Sequence, residues 1–164
     1  EDMPSVEALD ELIAMYEKRQ EAEKVSGPVH RIPWWVQDKL DGIRSLREDA
    51  LAGKQRAGRM DLSLIKAGDQ WAMMTLSNEP FSEYQLQLDR DAPFASTMVL
   101  GYCQGVETYV PTDEALSLKE KGGYEAASFP VPGAASFRYP LRLTLKEGIE
   151  GQILDAVKRM WETD

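Results

Sequence analysis

Trp71-Ala72-Met73-Met74-Thr75-Leu76 stops at Ser77-Asn78-Glu79-Pro80, and the amphipathic residues 81–89 follow. Thr97-Met98-Val99-Leu100 then runs into Gly101-Tyr102-Cys103-Gln104-Gly105-Val106-Glu107-Thr108-Tyr109-Val110-Pro111-Thr112. Two short apolar runs around an amphipathic stretch read as strand, helix and strand. That order predicts a right-handed βαβ crossover, with parallel strands ending at the same edge of a sheet. Open α/β sheets carry their sites at that edge. Glu79 and Tyr109 are therefore expected to be neighbours in space, although distant in sequence.

Working outward, residues 59–64 alternate polar and apolar side chains and Ile65-Lys66 completes the run, which predicts a half-exposed strand. Ala67-Gly68-Asp69 is the expected hairpin turn into the Trp71 strand. Upstream, residues 5–24 read as a helix, with Ser5 as its cap and Val6, Leu9, Ile13 and Tyr16 at helical spacing. Val25-Ser26-Gly27-Pro28 ends it. Arg31-Ile32-Pro33-Trp34-Trp35 is the expected aromatic loop between two helices. The second helix, over residues 36–51, carries Leu40, Ile43 and Leu46 on one face, with Gly53 past its end.

Downstream, Thr112 is placed to cap a short helix over residues 113–118, and a turn through Gly122-Gly123 leads to Tyr124-Glu125. Residues 129–139, rich in Pro, Gly, Ala and Ser, predict an irregular loop. Residues 145–161 predict a closing amphipathic helix, with Ile149, Ile153, Val157 and Trp161 spaced by four. The fold class is α/β: a mixed sheet with a βαβ crossover, an N-terminal helical pair and a C-terminal helix. Residues 1–58 form the helical segment and 59–164 the α/β segment, expected to make one compact domain.

Composition narrows the function. A net charge of −9 argues against a nucleic-acid partner, which needs a basic surface. No run is long and apolar enough for a transmembrane segment, and the acidic Glu1-Asp2 start is unlike a signal peptide. The chain starts without methionine, so a processed or excised piece is expected, and the sequence gives no address. The single cysteine, Cys103, excludes an internal disulfide framework and a cysteine-rich zinc site. With His30 as the one histidine, no mechanism needing two imidazoles can come from this chain alone.

Taken singly, the candidate residues have ordinary explanations. Glu79 reads as a helix-start carboxylate and Tyr109 as an amphipathic strand residue. Cys103 reads as a small buried hydrophobe, His30 as a surface residue and Trp34-Trp35 as a packing plug.

Taken together, they resemble something more specific. Glu79, then Gly101-Tyr102-Cys103-Gln104 with Tyr109 and Pro111-Thr112, then Gly122-Gly123-Tyr124-Glu125-Ala126-Ala127-Ser128, is similar to the neutral ceramidase family, and most to its bacterial ceramidase-like proteins. The family pattern is a Pro-Gly-Glu turn before a helix, a strand into a Gly-x-x-Asn…Tyr-x-x-Thr loop, and a Tyr-Glu-(Ala/Gly)-Ala-Ser segment. The match spans residues 62–128, and its weight lies in the order and spacing of the pieces. The resemblance implies a zinc amidohydrolase cleaving the N-acyl bond of a ceramide-type lipid, with zinc held by two histidines, a glutamate and a tyrosine. By position, the glutamate is Glu79 and the tyrosine Tyr109. Tyr102, Gln104, Tyr124 and Glu125 are then the pocket-lining or supporting candidates. Oxygen ligands with imidazoles suit Zn²⁺ and leave a position for an activated water. The family also suggests a secreted or periplasmic protein.

The departures are specific too. The family's histidines lie in a longer N-terminal region with no counterpart here. Its glycine before the glutamate is Asn78, and the asparagine of its second motif is Gln104. Two oxygen ligands without imidazole partners are not expected to hold Zn²⁺ tightly. The expectation is the C-terminal part of a ceramidase-like catalytic domain, inactive alone, with the missing N-terminal part as its partner. The alternatives are a non-catalytic module of that fold, binding a lipid or a protein through the Trp34-Trp35 loop, and a plain α/β domain with a chance match.

Overall fold

The computed structural model describes residues 2–26, 34–127 and 139–163. His30, Ser128, the Gly27-Pro28 helix stop, the Arg31-Ile32-Pro33 segment and most of the 129–139 loop lie outside the described residues.

Helix α1 (Val6–Ser26) begins where Ser5 Oγ accepts a hydrogen bond from the Ala8 N–H at 3.2 Å. Leu9 and Tyr16 on its inner face pack against Val36, Leu40, Ile43 and Leu46 of α2 (Trp34–Leu51). Trp34 and Trp35 are the first turn of α2, not a loop before it. They divide the work: Trp35 packs on the helix-pair core with the Arg19 guanidinium 4.5 Å above its ring, while Trp34 is 72% exposed. Gly53, at φ 64°, follows the end of α2.

The sheet is mixed. Strand β1 (Leu62–Ala67) pairs antiparallel with β2 (Trp71–Leu76) across a turn in which Gly68 takes φ 60°. Strand β2 then pairs parallel with β4 (Ser96–Leu100), in register from Trp71↔Ser96 to Thr75↔Leu100, with α3 (Ser82–Asp91) between them in sequence. This is the βαβ crossover. Strand β1 starts at Leu62, later than its alternating pattern suggests, because the Asp61–Ser77 pair is only half made. The Ser77 N–H donates to the Asp61 carbonyl at 2.9 Å, but the Asp61 N–H turns to the Ser77 side chain. Period-2 burial is cleanest in β2, where Ala72, Met74 and Leu76 are buried. Met74 and Leu76 share a core with Tyr84 and Leu88 of α3 and Ile153 and Val157 of α5 (Ile149–Trp161).

A second, two-stranded parallel sheet continues from the end of β2. It joins β3 (Glu79–Pro80) to β5 (Tyr109–Val110). Helix α4 (Asp113–Leu118) follows, with Thr112 Oγ1 accepting from the Ala115 N–H at 3.2 Å. Helix α5 starts four residues later than its apolar spacing predicts. Gly148 holds φ 92°, a left-handed geometry that starts no earlier turn. Asp113 Oδ1 accepts from the Gly148 N–H at 2.7 Å, and Glu150 Oε2 accepts from the Asp113 N–H at 2.8 Å, so the starts of α4 and α5 clasp each other. Leu145, expected in the first turn of α5, instead packs against both the helix-pair core and the sheet core. Among the described residues, no helix is long and apolar enough to cross a membrane.

Candidate functional site: a glutamate ringed by tyrosines

Glu79 and Tyr109 are register partners in the small β3–β5 sheet. The Glu79 N–H donates to the Thr108 carbonyl at 3.1 Å, and the Phe81 N–H to Val110 at 3.1 Å. Parallel pairing puts both side chains at the same level, as the crossover reading expects of them.

Three left-handed residues shape the loops that meet there: Asn78 (φ 66°), Tyr102 (φ 60°) and Gln104 (φ 59°). Such conformations at non-glycine residues cluster where a fold aims side chains for a purpose. Asn78 is the joint. It is 2% exposed, and its Nδ2 donates to the Arg59 carbonyl at 2.8 Å while Oδ1 accepts from the Glu107 N–H at 2.8 Å. Its own N–H donates to Gly105 at 2.8 Å, and its carbonyl accepts from Tyr102 at 2.9 Å. One side chain thus ties the β1 approach, the end of β2 and the long loop before β5.

The carboxylate of Glu79 accepts two phenols. The Tyr102 hydroxyl donates to Oε2 at 2.8 Å, and the Tyr139 hydroxyl donates to Oε1. Tyr109 stands beside them with two rings edge-on to its own, Tyr139 at 5.1 Å and Tyr124 at 6.0 Å between centroids. The Tyr124 phenol is raised by Tyr109 and then by Glu125, which follows it in the chain. Glu79 and four tyrosines so form one connected group, with Glu125 next to Tyr124 in the chain.

The surroundings push the phenols of Tyr102, Tyr109 and Tyr124 upward from their ordinary value. Tyr124 is raised to about 12 by its bond to Tyr109 and then by Glu125. For Tyr109 the bond from Tyr124 pulls downward, but burial, the bond to Tyr139 and the charge of Glu79 outweigh it and bring the phenol to about 12. Tyr102 is raised by its hydrogen bond to Glu79. At neutral pH the phenols around Glu79 are neutral donors.

Five residues singled out from sequence meet in this group: Glu79, Tyr102, Tyr109, Tyr124 and Glu125. Gln104 does not join them. Its amide donates to Ser63 Oγ at 3.0 Å and Thr75 Oγ1 at 2.8 Å, stapling the loop to β1 and β2. Cys103 is half-buried, not buried, with its thiol against the Gly101 carbonyl. Tyr139 carries no sequence signal of its own in a stretch of small residues. The alternation of Leu141, Leu143 and Leu145 just beyond it would have marked a segment that packs and holds its neighbour in place.

The donor set does not by itself fit a zinc ion. Among the described residues no group of three or more His, Cys, Asp or Glu side chains converges on a point that could hold a metal. Glu79 and Tyr109 supply two oxygen donors, and tetrahedral Zn²⁺ wants three protein ligands with imidazole or thiolate among them. No protein-family model matches the chain, and neither a curated protein nor a solved structure does.

Proposed function

We propose that this chain is the C-terminal portion of a ceramidase-like zinc amidohydrolase, contributing Glu79 and Tyr109 to a metal site that imidazoles from elsewhere in the parent protein complete. The observation that carries this reading is the Glu79↔Tyr109 pairing, which joins two residues of separate motifs in a parallel register. Tyr124 and Glu125, from the third motif, reach the same spot through Tyr109. In the completed site the metal would supply an activated water for attack on an N-acyl amide. This chain's own part is to orient: the Tyr102 and Tyr139 phenols steer the Glu79 carboxylate. Proteins of this kind would act on a ceramide-type lipid, with the N-terminal part of the catalytic domain as the obligatory partner.

The test is hydrolysis of a ceramide by the full-length protein carrying Glu79→Gln or Tyr109→Phe, with zinc content measured alongside. Loss beyond the roughly ten- to hundredfold typical of outer-shell partners, together with lost zinc, is expected. Unchanged hydrolysis removes both residues from the active site.

A second reading is favoured by one feature. Both Glu79 oxygens are already satisfied by phenols, which suits a closed network in a non-catalytic module as well as a ligand waiting for metal. In that module the exposed Trp34 is available to a lipid or protein partner. Full-length protein that is folded yet neither binds zinc nor hydrolyses ceramide decides for it.

A further inference from the structure

We infer that Tyr139 is a positioning residue for Glu79, held on the carboxylate by a strap that the N-terminal helix pair anchors. The inference rests on the reading of Glu79 as a working carboxylate.

The two phenols on Glu79 are held in unlike ways. Tyr102 is 65% exposed at the tip of its loop. Tyr139 is half-buried, with its ring edge-on to Tyr109. The backbone just after it is clamped: the Arg142 N–H donates to the Tyr139 carbonyl at 3.0 Å, and Arg142 itself takes φ 61°. The Arg142 guanidinium then forks onto both oxygens of Asp38 in α2, at 2.9 and 3.1 Å. It lies so close to the helix that a Cβ on Gly42 would stand 3.1 Å from it. Leu141 and Leu143 are buried in the helix-pair core, and the Leu141 N–H donates to Glu107 at 3.3 Å. Helix α2 therefore fixes the strap, the strap fixes Tyr139, and Tyr139 fixes Oε1 of Glu79 and one side of Tyr109.

Holding a carboxylate in one rotamer before its ligand arrives removes an ordering cost from the binding step. Carboxylates that ligate metals are themselves hydrogen-bonded for this reason. The asymmetry also assigns the oxygens. Oε1 is the anchored one, and Oε2, whose partner Tyr102 is exposed, is the one that turns to a ligand when Tyr102 moves aside. The helix pair, which carries none of the ceramidase-like motifs, thereby gains a role at the site.

Tyr139→Phe keeps the ring and removes only the hydroxyl. In the 164-residue chain, three-bond NMR couplings of the Glu79 side chain report its rotamer, and thermal unfolding reports the fold. Expected are one dominant rotamer in the unaltered chain and averaging in Tyr139→Phe at unchanged Tm. Arg142→Lys should also average the rotamer, because an ammonium cannot fork. Tyr102→Phe should leave it single. Couplings unchanged in Tyr139→Phe, or averaged by Tyr102→Phe instead, overturn the inference. In the full-length protein, Tyr139→Phe should lower kcat by about tenfold at unchanged KM. If Glu79→Gln abolishes hydrolysis while Tyr139→Phe leaves kcat intact, the positioning role falls alone. If hydrolysis survives Glu79→Gln, the site assignment falls and takes the positioning role with it, whatever the couplings show.

Discussion

Asn78 is the residue at which the site's backbone can be tested most directly. Replacing it by alanine removes the donor to the Arg59 carbonyl and the acceptor for the Glu107 N–H, both at 2.8 Å and partly buried. Stranding each of these groups costs about 1 kcal/mol, the low end for partial burial. Alanine at φ 66° adds about 1–2 kcal/mol of left-handed strain. Asn78→Ala should therefore cost about 3–4 kcal/mol, a large share of the roughly 5–15 kcal/mol that keeps a domain folded. Asn78→Gly loses the same hydrogen bonds without the strain, but its freer unfolded chain takes back about 0.4–1 kcal/mol. The glycine variant should then be the more stable of the two by about 1 kcal/mol. Urea unfolding followed by circular dichroism, with equal slopes for all three proteins, measures both numbers. Alanine as stable as glycine refutes the backbone half of the reasoning, and losses below about 0.5 kcal/mol in both refute the hydrogen-bond half.

Two further perturbations test the packing that surrounds the site. A Cβ on Gly122 would lie 2.0 Å from the Ala115 carbonyl oxygen, a backbone atom with no rotamer to escape through. Gly122→Ala should cost at least about 3 kcal/mol in the same unfolding assay, the upper range for overpacking; a neutral result would mean that the turn moves freely. Tyr84 is buried and donates to the Pro111 carbonyl at 3.1 Å, so Tyr84→Phe should cost about 1 kcal/mol at neutral pH. Burial, and then the carboxylates of Glu150 and Asp113, raise the Tyr84 phenol above its ordinary 10.0. A raised acid favours the fold while neutral, so this contribution is whole below pH 10 and drains away as the pH climbs above it. Unfolding free energy should thus fall more steeply above pH 10 in the unaltered chain than in Tyr84→Phe, and equal slopes would remove Tyr84 from the alkaline transition.

The elements that were legible in the sequence are those whose burial is periodic. Strand β2 alternates, α1 and α2 share a stripe, and the Ile153–Val157 spacing survives in α5. What periodicity could not see is set by single contacts. The start of α5 moved because Gly148 clasps Asp113, and Trp34-Trp35 joined α2 because Trp35 has a core and an arginine to lie against. Tyr139 escaped for the same reason. Its place on Glu79 is decided by Arg142 and Asp38, which lie far apart in the chain and form no pattern until folded.

The two departures from the ceramidase-like pattern then carry unequal weight. Asn78 stands where that pattern has a glycine and takes φ 66°, a left-handed geometry that glycine and asparagine both tolerate better than most residues. Asn78 even adds two bonds that a glycine could not make. Gln104 differs in kind. Its amide donates to Ser63 and Thr75 and takes no part in holding Glu79. The hydroxyls of Tyr102 and Tyr139 occupy that neighbourhood. A Gln104→Asn variant separates these cases. If the shorter amide abandons the sheet and reaches Glu79, the Ser63 and Thr75 contacts are the reason the site is built from phenols. If it stays with them, the loop backbone alone decides which side chains face the carboxylate.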